Sequence, residues 1–310
     1  MRAIVQDTFG GPEVLRLADV SDPAPLPTEL VVSVKAIGVN PVETYIRAGR
    51  FPFAGQPPII LGWDISGVVE SVVPGTNRFA PGDEVFGMPL FPRAAKAYAE
   101  RVAAPSRQLA RKPPSLSYEE AAALALTGLT AWQCLVDVAG VKAGDRVLIH
   151  AAAGGVGHLA VQIAKALGAQ VIGTASRGKH EFVRGLGADE IIDYRGVDFR
   201  EIVKDADVVL DTVGGDYGAR SIETLRPGGL LVTIVDRLNR ELAQKVSEAG
   251  RRFAGVTVEP DHGGLEALAA LAEAGKLKVH VERAFPLEQA GDAHRYLVEA
   301  KPRGKIVLIP

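Results

Sequence analysis

Residues 146–175 read RVLIHAAAGGVGHLAVQIAKALGAQVIGTA. Arg146 to His150 is an apolar run of strand length. From Gly155 to Leu167, the apolar residues Val156, Leu159, Ala160, Ile163, Ala164 and Leu167 recur at helical spacing, which predicts a helix with one buried face. Gly168 stands where a helix ends in left-handed backbone, and Gln170 to Ala175 forms a second strand. The turn between strand and helix aligns with G-x-G-x-x-G, with Ala152, Gly154 and Gly157 at the three glycine positions. The second glycine lets backbone approach a pyrophosphate and the third allows close helix–strand packing. Gly155 and Val156 open the helix, whose first N–H groups favour an anion. Ala at the first position makes the motif imperfect. A plain tight turn is the alternative for the glycines alone, but the flanking strand, helix and strand are the context the motif requires.

The segment after the second strand reads Ser176-Arg177-Gly178-Lys179. An NAD site wants a carboxylate about 20 residues beyond the loop, for the ribose 2′-hydroxyl. None is present. A hydroxyl, a guanidinium and an ammonium stand there instead, and these suit a 2′-phosphate. The expected cofactor is therefore NADPH rather than NADH; a solvated basic turn is the other reading.

Outward from this unit, Phe182, Val183 and Leu186 line a short helix that stops at Gly187. Glu190–Asp193, Ala206–Val213, Leu230–Val235 and Gly255–Val258 continue the strand series. Such alternation predicts a parallel sheet covered by helices. The first ~115 residues differ, with short β-like runs (Leu30–Ala36, Asp64–Val73, Asp83–Phe86) between Pro and Gly turns, which marks a β-rich domain. Ser117 and Glu120 have capping-box spacing, so a helix should start there. After residue ~275 β character returns, ending in Lys305–Ile309. That terminal strand needs a sheet, and the amino-terminal domain is the expected host.

The 310 residues include 35 Lys plus Arg and 37 Asp plus Glu, a net charge of -2, which gives no footprint for nucleic acid or an anionic membrane. No run of about 18 uninterrupted apolar residues occurs and the first residues carry no secretory signal, so no membrane partner is expected. Cys134, the single cysteine, sits among apolar residues and reads as buried. It excludes an intramolecular disulfide and a four-cysteine zinc site. These features fit a cytoplasmic location. The histidines at 150, 158, 180, 262, 280 and 294 show no ligand spacing and read as structural or solvated.

Several further segments carry a resemblance: Ala36-Ile-Gly-Val-Asn40-Pro-Val-Glu-Thr-Tyr45-Ile-Arg47, Leu61-Gly62-Trp63-Asp64-Ile-Ser-Gly67, Pro81-Gly82-Asp83-Glu-Val-Phe86-Gly87, Leu126-Thr127-Gly128-Leu-Thr130, and Arg303-Gly304-Lys305. With the glycine turn, the chain resembles the medium-chain dehydrogenase/reductase superfamily in its zinc-independent quinone oxidoreductase (zeta-crystallin-like) branch. The resemblance implies an α/β chain in which a Rossmann doubly wound parallel sheet, residues 123–275, is inserted in a GroES-like β-rich domain, residues 1–122 plus 276–310. It implies a nicotinamide between the two domains. It also implies a homodimer joined through its Rossmann sheets, with Gly255–Val258 as the candidate edge strand. Zinc alcohol dehydrogenases of the superfamily hold a metal with a Cys and a Gly-His-Glu motif. The corresponding segments here, Gly38-Val39-Asn40 and Gly62-Trp63-Asp64, lack both Cys and His, so no metal is expected.

By the same resemblance, Asn40 lies near the nicotinamide ribose and substrate, and Tyr45 lines the substrate cleft, where a phenol can donate a proton to an enolate oxygen. A turn Asn and an ordinary half-buried Tyr are the alternatives. Arg47 either orients the acceptor or forms a surface salt bridge, and Asp64 fixes loops. Thr127 and Thr130 stand beside the nicotinamide or pack inside a helix. Tyr194 flanks the adenosine phosphate. Val213 and Gly214 end the fourth strand on the cofactor side. Lys305 meets the cofactor phosphates or is a strand-edge lysine. Phe51, Phe53, Trp63 and Phe91 offer apolar walls or core packing. The expected activity is NADPH-dependent reduction of a small-molecule electron acceptor, a quinone or an α,β-unsaturated carbonyl, by direct hydride transfer. An enoyl-thioester reductase, or an NADPH-binding redox sensor without turnover, are the rival readings.

Overall fold

The computed structural model describes every residue except 52–54 and 77. Along the chain, β1 (Arg2–Gln6), β2 (Leu15–Asp19), β3 (Glu29–Gly38), α1 (Pro41–Arg47), β4 (Ile59–Ile60), β5 (Ile65–Val72), β6 (Glu84–Gly87), β7 (Arg101–Pro105) and β8 (Leu109–Arg111) lead into α2 (Tyr118–Trp132). An alternating series follows: β9 (Arg146–Ile149), α3 (Gly155–Ala166), β10 (Gln170–Ala175), α4 (His180–Gly185), β11 (Glu190–Asp193), α5 (Phe199–Ile202), β12 (Ala206–Asp211), α6 (Asp216–Ser221), β13 (Leu225–Thr233), α7 (Arg240–Glu248) and β14 (Arg252–Gly255). The chain closes with α8 (His262–Glu273), β15 (Val281–Pro286), α9 (Ala290–Ala300) and β16 (Lys305–Ile309).

Two compact units result. Met1–Leu129, Glu259–Gly275 and Val279–Pro310 form the first; Thr130–Val258 and Lys276–Lys278 form the second. The division falls inside α2 rather than before residue 123. Glu259–Gly275, expected with the alternating series, belongs to the first unit, where α8 packs on β8.

In the first unit, β3 is the hub. It pairs antiparallel with β5, β7 and β16, in a sheet ordered β15-β16-β3-β5-β6-β8. The terminal strand therefore finds its partner at the other end of the chain, with Val307 opposite Gly38. A smaller sheet runs β2-β1-β4. The β character expected after residue 275 is interrupted by α9, whose Ala290, Ala293 and His294 are buried. Helix α2 begins where expected: the Ser117 backbone N–H donates to Glu120 Oε2 (2.9 Å), and the Glu120 N–H donates to Ser117 Oγ (3.2 Å). Continued by π-helical turns at Gln133–Val138, it is long and apolar enough to cross a membrane, but most of it is buried inside the protein. Cys134 lies there, buried, and burial pushes its thiol up to about 12.

The second unit carries a parallel sheet ordered β11-β10-β9-β12-β13-β14. The order reverses between β9 and β12, the switch point at which such sheets bind ligands beyond their carboxyl ends. Strand register explains the core. Ile172 lies opposite Leu148, Leu148 opposite Val209, Val209 opposite Leu231, and Leu231 opposite Phe253. Side chains alternate faces along a strand, so this row shares one face, where Phe199, Leu242 and Val246 cover it. Val147, Ile149, Leu210 and Val232 are buried as well, as a parallel sheet covered on both faces requires. The last strand is Arg252–Gly255, not Gly255–Val258. Its only neighbour among the described residues, β13, ends at Thr233 opposite Gly255, so the ladder stops there. Val256 and Val258 are buried without extending it.

Candidate functional site

The glycine turn of the second unit is built from three close contacts. The Ala152 N–H donates to Thr174 O (2.9 Å), the Gly154 N–H to Ala151 O (2.8 Å), and the Ala151 N–H to Thr174 Oγ1 (3.2 Å). Ala151 takes φ +48°, and Ala152 is fully buried. A Cβ on Gly157 would lie 2.3 Å from Ala151 O and 2.8 Å from Ala152 Cα, so the third glycine position admits no side chain. Gly154 caps α3 in extended backbone, and no side chain caps the helix. The His158 N–H returns to Gly154 O. The first-turn N–H groups, those of Gly155, Val156 and Gly157, therefore face the turn as anion donors. This is the cradle a pyrophosphate fits.

The neighbouring loops follow parallel strands and share this edge of the sheet. After β10, Ser176, Arg177 and Lys179 form a short 3-10 turn with Arg177 exposed, and the chain carries no carboxylate between Ala175 and His180. After β11, the Tyr194 ring is half exposed beneath the Arg195 guanidinium, 5.8 Å from its centroid. After β12, the N–H groups of Val213 (2.9 Å) and Gly214 (3.0 Å) donate to Asp211 Oδ1, and Gly214 takes φ +77°. Asp211 is fully buried, and burial raises its carboxyl against those hydrogen bonds.

His150, at the end of β9, is a structural residue. The Ser221 hydroxyl donates to Tyr217 O (2.7 Å), so it accepts from His150 Nε2–H (2.9 Å), and His150 Nδ1 accepts from Thr174 Oγ1 (3.2 Å). Burial, with the Arg220 charge, holds the imidazole neutral, down to about 3. Thr174 and Asp211 were not singled out from the sequence. Their only signal is a polar residue inside an otherwise apolar strand.

A different cluster occupies the first unit. The Asn40 side chain, 1% exposed, donates from Nδ2 to Asp64 Oδ2 (3.0 Å), and Asn40 Oδ1 accepts from Lys305 Nζ. Lys305 also donates to Val39 O (2.8 Å) and lies 3.6 Å from Asp64 Oδ2. Asp64 Oδ1 accepts from the Leu126 N–H (2.9 Å). A Cβ on Gly38 would meet Asp64 Oδ2 at 2.8 Å, so that glycine makes room for the carboxylate. Burial raises Asp64 to about 6 against the nearby ammonium, and burial lowers Lys305 against the two carboxylates near it. Lys305, expected at the cofactor phosphates, thus has its ammonium taken up by Val39, Asn40 and Asp64.

Arg47 is buried and, among the described residues, forms no salt bridge: its Nη1 meets His294 Nδ1 at 3.0 Å. Tyr45, on the same helix, is 53% exposed. Thr127 and Thr130 are buried on α2, and Thr127 Oγ1 donates to Ala123 O (2.9 Å), one helical turn back. Trp63 is a core residue, its Nε1 donating to Arg93 O (2.7 Å) and its ring 5.0 Å from Phe91. Phe53 lies outside the described residues. The structure thus gathers Ala152, Gly154–Gly157, Ser176, Arg177, Lys179, Tyr194, Val213 and Gly214 at one sheet edge of the second unit. Asn40, Tyr45, Thr127 and Lys305 lie in the first.

Residues 26–114 match the alcohol dehydrogenase GroES-like domain family, and residues 186–308 match a zinc-binding dehydrogenase family. The chain is 32% identical to the quinone oxidoreductase of Homo sapiens over all of its own length and 98% of that protein. It is 36% identical to a 2-haloacrylate reductase of a Burkholderia species, over 97% of this chain and 96% of the other. Two solved structures each superpose with a TM-score of 0.90, covering all of both chains. One is the Escherichia coli quinone oxidoreductase complexed with NADPH, 32% identical; the other is an NAD-dependent alcohol dehydrogenase, 37% identical.

The second family's description names zinc, but the donors that could hold it are already engaged. Asp64 already serves the Leu126 N–H, the Asn40 amide and an ammonium, and Asn40 offers only a carbonyl held by Lys305. One shared carboxylate without imidazole or thiolate does not fit zinc. The glycine cradle, by contrast, fits a dinucleotide, and with 32% identity over its whole length to a quinone oxidoreductase the chain belongs to the quinone oxidoreductase family of medium-chain dehydrogenases/reductases and is an oxidoreductase.

Proposed function

We propose that the chain binds NADPH and catalyses zinc-independent, direct hydride transfer to a small electron-poor acceptor, a quinone or an activated alkene. The observation that carries this reading is the sheet edge of the second unit. A sterically closed glycine turn lies beside Arg177 and Lys179, with no carboxylate at the end of β10. A carboxylate there would repel a 2′-phosphate; a guanidinium and an ammonium attract it. The relative named 2-haloacrylate reductase supports an alkene bearing an electron-withdrawing group as one acceptor class.

The hydride is the coenzyme's contribution when it is bound. The chain's own contribution is to hold and to donate. The N–H groups of Gly155, Val156 and Gly157 take the pyrophosphate, and Arg177 and Lys179 take the adenosine phosphate. Tyr194, Val213 and Gly214 flank the coenzyme. Thr127 and Thr130 support the segment beside the nicotinamide. Asn40 and Tyr45 serve the acceptor; the exposed Tyr45 phenol is the group able to give a proton to a developing oxyanion. Asn40 has both ends of its amide engaged, so its part is a single remaining N–H. The reading includes a cytoplasmic homodimer. Among the described residues β14 is an edge strand with one neighbour, open to pairing with a second copy.

The test is loss of reduced-coenzyme absorbance with phenanthrenequinone and with an enone, using NADPH and NADH in turn. Turnover with NADPH on either acceptor, slower with NADH, is expected. NADPH binding without turnover on both acceptors would overturn it in favour of a sensor.

A further inference from the structure

Four side chains of the first unit form one buried line of hydrogen bonds with a forced direction. Arg47 Nη1 lies 3.0 Å from His294 Nδ1, His294 Nε2 lies 2.9 Å from Tyr98 Oη, and Tyr98 Oη donates to Glu43 Oε2 at 2.7 Å. A guanidinium has no lone pair to accept with, so His294 Nδ1 must accept. The ring proton is then on Nε2 and points at the Tyr98 oxygen. The phenol proton can only go to Glu43. Burial and the Arg47 charge keep His294 neutral, down to about 3.

The line ends at the site. Glu43 Oε2 also accepts the Asn40 backbone N–H at 2.7 Å, at the start of α1. Beyond that residue, Asp64 and Lys305 hold the Asn40 side chain. The Leu61-Gly62-Trp63 segment exists in part to seat the tyrosine: Gly62 takes φ +94°, and a Cβ there would lie 2.3 Å from Tyr98 Cδ1. The Tyr98 N–H donates to Leu61 O (2.8 Å), and its ring meets that of His294 edge-on at 5.7 Å. Glu43 Oε1 is buried without a hydrogen-bond partner among the described residues, so the carboxylate depends on Oε2 for its stabilisation.

We propose that Tyr98 and His294, oriented by Arg47, are positioning residues for hydride transfer: through Glu43 they fix the first turn of α1, and with it Asn40 and Tyr45. This rests on the reading in which those two residues serve the acceptor. A positioning role differs from simple core packing because it runs through one proton direction and one charge. Glu43 is faced by Tyr98 from the segment before β7, by Asp64 from the loop before β5 and by Lys305 from β16; Arg47 and His294 reach it through Tyr98. Burial raises Glu43 to about 7, while the Asn40 N–H and the Tyr98 hydroxyl oppose that rise.

The experiment is steady-state NADPH oxidation, on the acceptor the unaltered chain turns over, across a pH series. His294→Leu is expected to lower kcat roughly tenfold, the scale of a small misplacement of reacting groups, with KM for NADPH held within about twofold. His294→Gln is expected to restore kcat to within about twofold, because its amide supplies one acceptor to Arg47 and one donor to Tyr98, as the fixed imidazole does. Tyr98→Phe, a milder change that keeps the ring packing, should move the acid limb of kcat to higher pH. The same change should move no limb in a Glu43→Gln background. Asn40→Ala separates the two claims. If Asn40→Ala slows turnover but Tyr98→Phe leaves both kcat and its pH profile unchanged, the positioning role is overturned and the site reading stands. If Asn40→Ala has no effect, the site reading falls, and the positioning role falls with it. Should His294→Leu fail to fold, Tyr98→Phe decides alone.

Discussion

The α-carbon of Gly157 faces the carbonyl oxygen of Ala151 so closely that a methyl group would sit 2.3 Å from it. The obstacle is backbone, which cannot rotate away, and Ala151 already holds positive φ. Gly157→Ala should therefore open the turn between β9 and α3. Overpacking of this kind costs about 1–3 kcal/mol, read as a lower urea midpoint at unchanged slope. Coenzyme affinity should fall as well, because the first-turn N–H groups move with the helix. An unchanged midpoint would mean that the turn is looser than its contacts indicate.

Arg177→Ala combined with Lys179→Ala should separate the two coenzymes. Each charge-assisted hydrogen bond to phosphate is worth about 1.5–3 kcal/mol, so losing both should raise the NADPH dissociation constant by roughly a hundredfold or more. NADH, without the phosphate, should bind within about twofold of the unaltered chain. Equal weakening of both, by fluorescence titration, would remove these cations from coenzyme choice.

Tyr45→Phe should discriminate between acceptors. A reduced quinone is stable as its anion and can take its proton from water, whereas an enolate must be trapped by a donor, so quinone reduction should proceed near the original rate. Enone reduction should slow by about a hundredfold if the phenol is the proton donor. Tyr45 is exposed, so the change should leave the unfolding midpoint where it is. Equal rates on both acceptors would take the phenol out of the reaction.

His150 should couple folding to acid. It is neutral in the folded chain, held to about 3 against an ordinary 6.5 by burial and the Arg220 charge. Below 6.5 the unfolded chain takes up a proton that the folded chain refuses. The stability this group contributes is therefore whole above 6.5 and is lost as pH falls toward 3. The Tm of the unaltered chain should fall more steeply over this range than that of His150→Asn. Comparing the two curves cancels the buried carboxyls, whose raised values act in the opposite sense. Parallel curves would show that His150 is protonated in the fold or solvated.

The second unit was legible because its signals are local. Strand, glycine turn, helix and strand follow one another within 146–175, and parallel connections carry every later loop to the same edge. The Ser117–Glu120 cap is a spacing of three residues and was equally plain. The first unit was harder because its polar contacts join distant parts of the chain. Lys305 looked like a phosphate ligand or an edge lysine; its partner Asn40 is 265 positions away. Arg47 and His294 are 247 positions apart, and neither carries a local mark of the other. The edge strand was misplaced because alternating valines at 256 and 258 look the same whether or not a neighbouring strand extends far enough to pair with them.

The position of β16 bears on how the chain comes to fold. It lies between β15 and β3, inside the sheet of the first unit, yet it is made after every other strand described. During synthesis β3 emerges early and must wait with that flank unsatisfied. Meanwhile Thr130–Val258 has emerged with all strands of its own sheet. Nascent domains close as units, so the younger stretch of polypeptide should finish first, and the older one should stay vulnerable to proteases until β16 has emerged.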